Sequence, residues 1–282
     1  MRFLMWSVLF LLIAAPVQAQ REMRVYIAAD MEGIAGLSAT DDPAGRALMT
    51  GEVNAAIEAA FEAGAVEVVV NDAHGGHNNL IQEALDQRVR LLRGNLKPYG
   101  MMEGLDERFT HVLFIGFHAK AGEDGFAAHT GSGLTADLKV NGMSVGEGGM
   151  NALYAAWYDV PVVFVSGDQA AIDEMTAMIP GLTGVAVKEG TWTRSVNTMS
   201  PDSAQAAIHR GVLSALRAEP PGRPAIRPPF SVEFTYPRRL NAEIAMGIPW
   251  LERVDETTVG FEVDEYPAAY RLIRLLYKHL QP

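Results

Sequence analysis

The run YIAADMEGIAG, residues 26–36, begins as an apolar strand and then sets Asp30 and Glu32 two positions apart, just before Gly33. Side chains two apart on a strand point to the same side, so two carboxylates there repel each other unless a cation lies between them. The rest of the chain either supplies that cation or leaves the pair unexplained.

Other stretches repeat the design. PAGRALMTGEVNAAIEAAFEAGA (43–65) has the helical spacing of Ala, Val, Ile and Phe and stops at Gly64. VEVVVND is β-branched and continuous, as expected of a strand buried on both faces of a parallel sheet, and it too ends in polar residues. THVLFIGFHAK carries an apolar strand over 112–117 into His118. LTADLKVNGMSVGEGGMNALYAAWYD reads as a short hairpin around Asn141-Gly142 followed by a helix from about Glu147. VPVVFVSGDQAAIDEM adds a strand over 162–165 and a helix opened by Asp168, and GVAVKEG a further strand. This alternation predicts an α/β fold, a mostly parallel sheet flanked by helices, whose ligand site lies beyond the carboxyl ends of its strands.

The Pro-rich stretch AEPPGRPAIRPP (218–229) reads as a linker or crossover, because fixed φ and missing N–H groups prevent regular structure. Beyond it, FSVEFTYP and TTVGFEVDE alternate like half-exposed strands, and NAEIAMGI and YPAAYRLIRLLYKHL read as helices. The expected organisation is a leader over 1–19, an α/β metal-binding catalytic domain over 20–217, and a smaller α+β portion over 218–282, a candidate for oligomerisation.

Composition narrows the function. The chain has 282 residues, 49% of them hydrophobic, a mean hydropathy near zero and a net charge of -11. That is enough apolar material for a sizeable core, and the acidic balance disfavours a nucleic-acid partner. The opening MRFLMWSVLFLLIAAPVQAQ has a basic residue at Arg2, an apolar run over 3–15 and small residues before a cut after Ala19. The run is shorter than the roughly 20 residues needed to span a bilayer, so it reads as a cleaved secretory signal and predicts an exported protein, periplasmic or secreted. With no cysteine, any metal must be held by His, Asp and Glu.

Four polar clusters stand at strand or loop ends: Asp30 and Glu32; Asp72, His74 and His77; His118; and Glu147. Imidazole and carboxylate are what zinc and similar ions prefer when no thiolate is offered. A metal removes the repulsion between Asp30 and Glu32, and one of these carboxylates can bridge to a second ion about 3.5–4 Å away, as in many hydrolytic pairs. Singly, each signal is weak: D-x-E arises by chance, a lone His after a strand is usually structural, and Glu147 suits a helix N-terminus. Three buried strands ending on metal-competent groups is a stronger pattern.

The segments AADMEGIAG, VNDAHG, GFHAKAG, AHT and NGMSVGEGGMNA resemble, in order and spacing, the motifs of the zinc-dependent D-aminopeptidase family, whose founding member is associated with bacterial dipeptide transport. The resemblance runs from Met23 through GIPWLERVDETTVGFEVD to the last helix. It implies that Asp30, Glu32, His74, His118 and Glu147 bind two zinc ions, with Asp30 as the bridge, and that His129, eleven residues past His118, is the catalytic histidine. It also implies short peptide substrates with an N-terminal D-residue, such as D-Ala-D-Ala, and a ring-shaped homo-oligomer. The signal is a departure, since the founding member acts inside the cell.

Without the family spacing, His129 reads as a loop histidine bonded to Thr130. Lys120 and Arg194 are candidate cations for a substrate carboxylate, Asp72 a candidate partner orienting His74 or a ligand itself, and His77 a surface-loop histidine or a distant support. His111, His209 and His279 carry no catalytic expectation. GEGGMNA lacks the spacing of a phosphate loop, and its Glu would repel phosphate. The alternatives to a di-zinc peptidase are another dinuclear metallohydrolase, an amidase or phosphoesterase, and a non-catalytic metal-dependent periplasmic binding protein.

Overall fold

The computed structural model describes residues 21–192, 194–225 and 227–280; the leader expected over 1–19 lies outside them. In chain order the strands are β1 (Arg24–Ala29), β2 (Glu67–Asp72), β3 (Arg90–Leu92), β4 (His111–Phe117), β5 (Asp137–Val140), β6 (Met143–Ser144), β7 (Val162–Asp168), β8 (Thr183–Trp192), β9 (Ser195–Thr198), β10 (Phe230–Thr235), β11 (Glu252–Arg253) and β12 (Thr258–Val263). The helices are α1 (Gly45–Glu62), α2 (Glu147–Trp157), α3 (Gln169–Met178), α4 (Pro201–Arg217), α5 (Arg239–Ala245) and α6 (Tyr266–Lys278).

The main sheet has seven strands in the order β3-β2-β1-β4-β7-β8-β9, parallel except for β9 at the edge. Alternation along β1 explains how it sits in the middle. Val25, Ile27 and Ala29 enter one apolar core with α1 and α4, whereas Tyr26 and Ala28 enter a second core with α2 and α6. Both faces are covered, as the continuous apolar strands required. The strand order reverses between β1 and β4, and such a switch point leaves a crevice at the carboxyl ends of the two strands.

The second sheet, in the order β11-β12-β10-β5-β6, is antiparallel. Asn141 and Gly142 join β5 to β6 with φ of 49° and 79°, the left-handed pair that a two-residue hairpin turn requires. Because β5 pairs with β10, the small sheet takes strands from both sides of the boundary expected at 217/218. Its residues Leu138, Val140, Val232 and Phe234 share a core with α2 and α6. Helix α4, unassigned from sequence, opens on Ser200, whose side chain accepts a hydrogen bond from Ser203 N. Among the described residues no helix is long and apolar enough to cross a membrane.

Candidate metal centre

The crevice is built by backbone closeness. Past the end of β1, Asp30 N donates to Ile115 O and Gly33 N to Gly116 O, each at 2.8 Å, so the turn carrying Asp30 and Glu32 is sewn to β4. A Cβ on Gly33 would lie 2.0 Å from Phe117 O, which only glycine avoids. Gly116 has φ of +77°, and the pairing of β4 with β7 shifts register between Phe114 and Phe117. This bulge re-aims the chain and delivers His118 beside Asp30. His74 follows β2, and Glu147 is the first residue of α2.

Five of the predicted residues meet there. His74 Nδ1 lies 2.9 Å from Glu32 Oε2 and 3.3 Å from Asp30 Oδ1. His118 Nε2 lies 3.4 Å from Asp30 Oδ2 and 3.5 Å from Glu147 Oε1. Asp30 thus gives one oxygen to each of two trios, Asp30–Glu32–His74 and Asp30–His118–Glu147. His129 joins them, its Nε2 3.4 Å from Glu147 Oε1 and its ring stacked on His118 at 4.2 Å. A third trio, Glu32–His118–His129, overlaps both.

The donor set fits a metal. Asp30 Oδ2 and His118 Nε2 are buried and neither has a hydrogen-bond partner, a costly arrangement unless an ion takes both. His118 Nδ1 donates to Ala119 O at 2.9 Å and His129 Nδ1 to Ala127 O at 2.8 Å, so each ring turns Nε2 into the crevice. Charges press on one another. Burial, with Glu32 nearby, pushes Asp30 above the usual carboxylate range, whereas hydrogen bonding to His74 overcomes burial and holds Glu32 well below it. Against burial, the neighbouring carboxylates raise His74 to about 11 and His118 to about 10. A dication would replace those protons.

The remaining candidates separate. Asp72 does not touch the His74 ring: its carboxylate accepts from Leu80 N at 2.8 Å and from the backbone and side-chain N–H groups of Asn79, at 2.5 and 2.8 Å. Asn79 in turn donates to His74 O at 2.7 Å, so Asp72 anchors the loop rather than the imidazole. Lys120 points away from the crevice and donates to Ser144 Oγ at 2.9 Å. Arg194 is exposed and lines a wider neighbouring cleft with Glu32 and His129. Thr130 is not the partner of His129, since its hydroxyl accepts from Ala121 N. His77 is no surface residue; it is 3% exposed and lines the same cavity as Asp30, Glu32, His74 and Glu147.

Sequence reasoning missed two groups. Lys188 on β8 is buried and donates to Glu32 O at 2.7 Å, pinning the D-x-E turn from behind. A lone lysine interrupting the apolar run GVAVKEG was the available signal. The other group, Arg274, Tyr277 and Lys278 of α6, lines the 90 Å³ cavity above Asp30, Glu32, His74 and Glu147. Arg274 falls four residues past the buried Tyr270, on the face that α6 turns inward.

Comparison with known proteins gives the family. A model of the D-aminopeptidase family matches residues 23–275. The chain is 37% identical to a D-aminopeptidase of Bacillus subtilis over 268 residues, covering 90% of this chain and 96% of the relative. The solved structure of a zinc-dependent D-aminopeptidase of Bacillus subtilis, described as a self-compartmentalizing protease, superposes with a TM-score of 0.87 at 34% identity, covering 92% of this chain and 98% of that one.

Proposed function

The chain belongs to the D-aminopeptidase family of zinc metallopeptidases, and from that premise we propose that it is an exported di-zinc exopeptidase that removes an N-terminal D-residue from short peptides such as D-Ala-D-Ala. The observation that carries the two-ion reading is Asp30, whose two oxygens face two separate trios. Glu32 and His74 would complete one site, His118 and Glu147 the other. Zinc held there supplies Lewis acidity, polarising a carbonyl and making water nucleophilic near neutral pH.

The chain's own residues handle the protons. His129 keeps Nδ1–H on Ala127 O and leaves Nε2 beside Glu147, placed to carry a proton to the departing amine. Glu147 is fixed by Gly131 N at 2.6 Å. Burial of Asp30, Glu32 and His118 excludes bulk water and strengthens every charge interaction in the crevice.

Export rests on the residue pattern over 1–19, outside the family match that begins at residue 23. We propose a homo-oligomer as well, supported by the self-compartmentalizing relative and by Leu96 and Trp250, large apolar side chains left about three-quarters exposed.

The deciding experiment measures alanine release from D-Ala-D-Ala and from L-Ala-L-Ala by the mature chain, with zinc and after chelation. Chelator-sensitive release from the D-peptide alone is expected. Release from neither peptide would discard the dipeptidase reading and direct the search to longer peptides and other amides.

A further inference from the structure

The wall of the cavity opposite the metal ligands is cationic in a protein of net charge -11. Arg274 is 6% exposed, and its guanidinium presses so closely on Gly100 that a Cβ there would lie 1.3 Å from it. Lys278 stands one turn further along α6 and donates to Gly75 O at 3.1 Å. Among the described residues neither cation forms an ion pair with a carboxylate. A buried guanidinium without an anionic partner is costly, and retaining one argues that the missing partner arrives with a ligand.

His77 gives a second, independent indication. It is 3% exposed, lines the same cavity, and its Nδ1 has no hydrogen-bond partner. The unpaired ring nitrogen offers a directional polar contact beside the two cations. Tyr277, one turn from Arg274 on the wall of the same cavity, links it to the metal ligands: its ring lies against Gly131, whose N–H holds Glu147.

Resting on the peptidase reading, we propose that Arg274, Lys278 and His77 form a carboxylate-recognition subsite that selects peptides presenting an anionic group a short distance from the scissile bond. A dipeptide supplies one as its C-terminal carboxylate, and an N-terminal D-Glu or D-Asp supplies one as its side chain. Arg194 is the weaker anchor because it is exposed, and a solvated charge discriminates little.

The test is calorimetric binding of D-Ala-D-Ala, its C-terminal amide and D-Glu-D-Ala-amide to zinc-loaded protein carrying His129→Ala, which retains ligand for measurement. Arg274→Leu should weaken D-Ala-D-Ala at least tenfold and the D-Ala-D-Ala amide less than twofold, while Arg274→Lys retains most of the affinity. If Arg274 governs only D-Glu-D-Ala-amide, the subsite stands and holds the side chain. Equal losses on all three ligands in Arg274→Leu, or no loss on any of them, overturns the subsite. Turnover of D-Ala-D-Ala by the unmutated protein reports on the peptidase reading separately: turnover with no Arg274 dependence in the binding of any ligand sinks the subsite alone, and Arg274-dependent binding without turnover sinks the peptidase reading alone. Failure of all three ligands to bind overturns both.

Discussion

His118 and His129 lie ring on ring, 4.2 Å between centroids and 9° from parallel, and both direct Nε2 at the same Glu147 oxygen. Two stacked imidazoles aimed at one carboxylate cannot both be charged at low cost, so the arrangement suits a metal in place of the proton on one ring, leaving the other free to move a proton.

His129→Ala should therefore lower kcat by at least about a hundredfold, the lower end of general acid-base contributions, while both zinc ions remain bound. Metal analysis of the purified variant checks this. A protein with one zinc would reassign His129 as a ligand through the Glu32–His118–His129 trio.

Asp30→Ala removes the oxygens shared by both trios. Activity should be abolished and zinc content should fall at both sites together, in contrast to Glu147→Gln, which should weaken one site more than the other. Zinc titration separates the two: a common loss of affinity for the first variant, two resolved affinities for the second.

Asp72→Ala leaves the N–H groups of Asn79 and Leu80 without their acceptor. The expected cost is about 1–3 kcal/mol of unfolding free energy, read from denaturant curves of the metal-free protein, with weaker zinc binding because the loop carrying His74 loosens. Unchanged stability with lost zinc affinity would instead place Asp72 on the His74 ring.

The metal-free protein should lose stability as pH rises. His74 and His118 are raised above their unfolded value near 6.5, to about 11 and about 10, so their contribution is complete below pH 6.5 and disappears as pH climbs through those values. Zinc displaces the protons, and loading at pH 8 should release roughly two per chain, one from each imidazole. Thermal melts with and without zinc over pH 6–10 test it: the metal-free melting point should fall relative to that of the loaded form.

The strands around the crevice were legible because burial on both faces leaves a continuous apolar run, and each run breaks off at its functional group: Ala29 before Asp30, Phe117 before His118. Glu147 was reached through the family motif, since its place at a helix start by itself reads as structural. What escaped depends on distant pairing. Nothing local in DLKV states that it will join β10, some ninety residues on, and a three-residue strand such as β3 carries no period to read. Arg274 escaped because an arginine in an amphipathic helix ordinarily lies on the solvated side, and only the packing of α6 over Gly100 and Gly131 turns it inward.

That packing separates the moment the chain can hold metal from the moment it can act. Every proposed zinc ligand lies before residue 148, but the lid of the cavity comes from Arg274, Tyr277 and Lys278 at the far end. A chain emerging from synthesis therefore carries a full set of ligands long before it carries an enclosed reaction chamber. Clipping the last helix would remove that chamber wall, and Tyr270, Ile273 and Leu276 from the core, without deleting a single ligand from the chain.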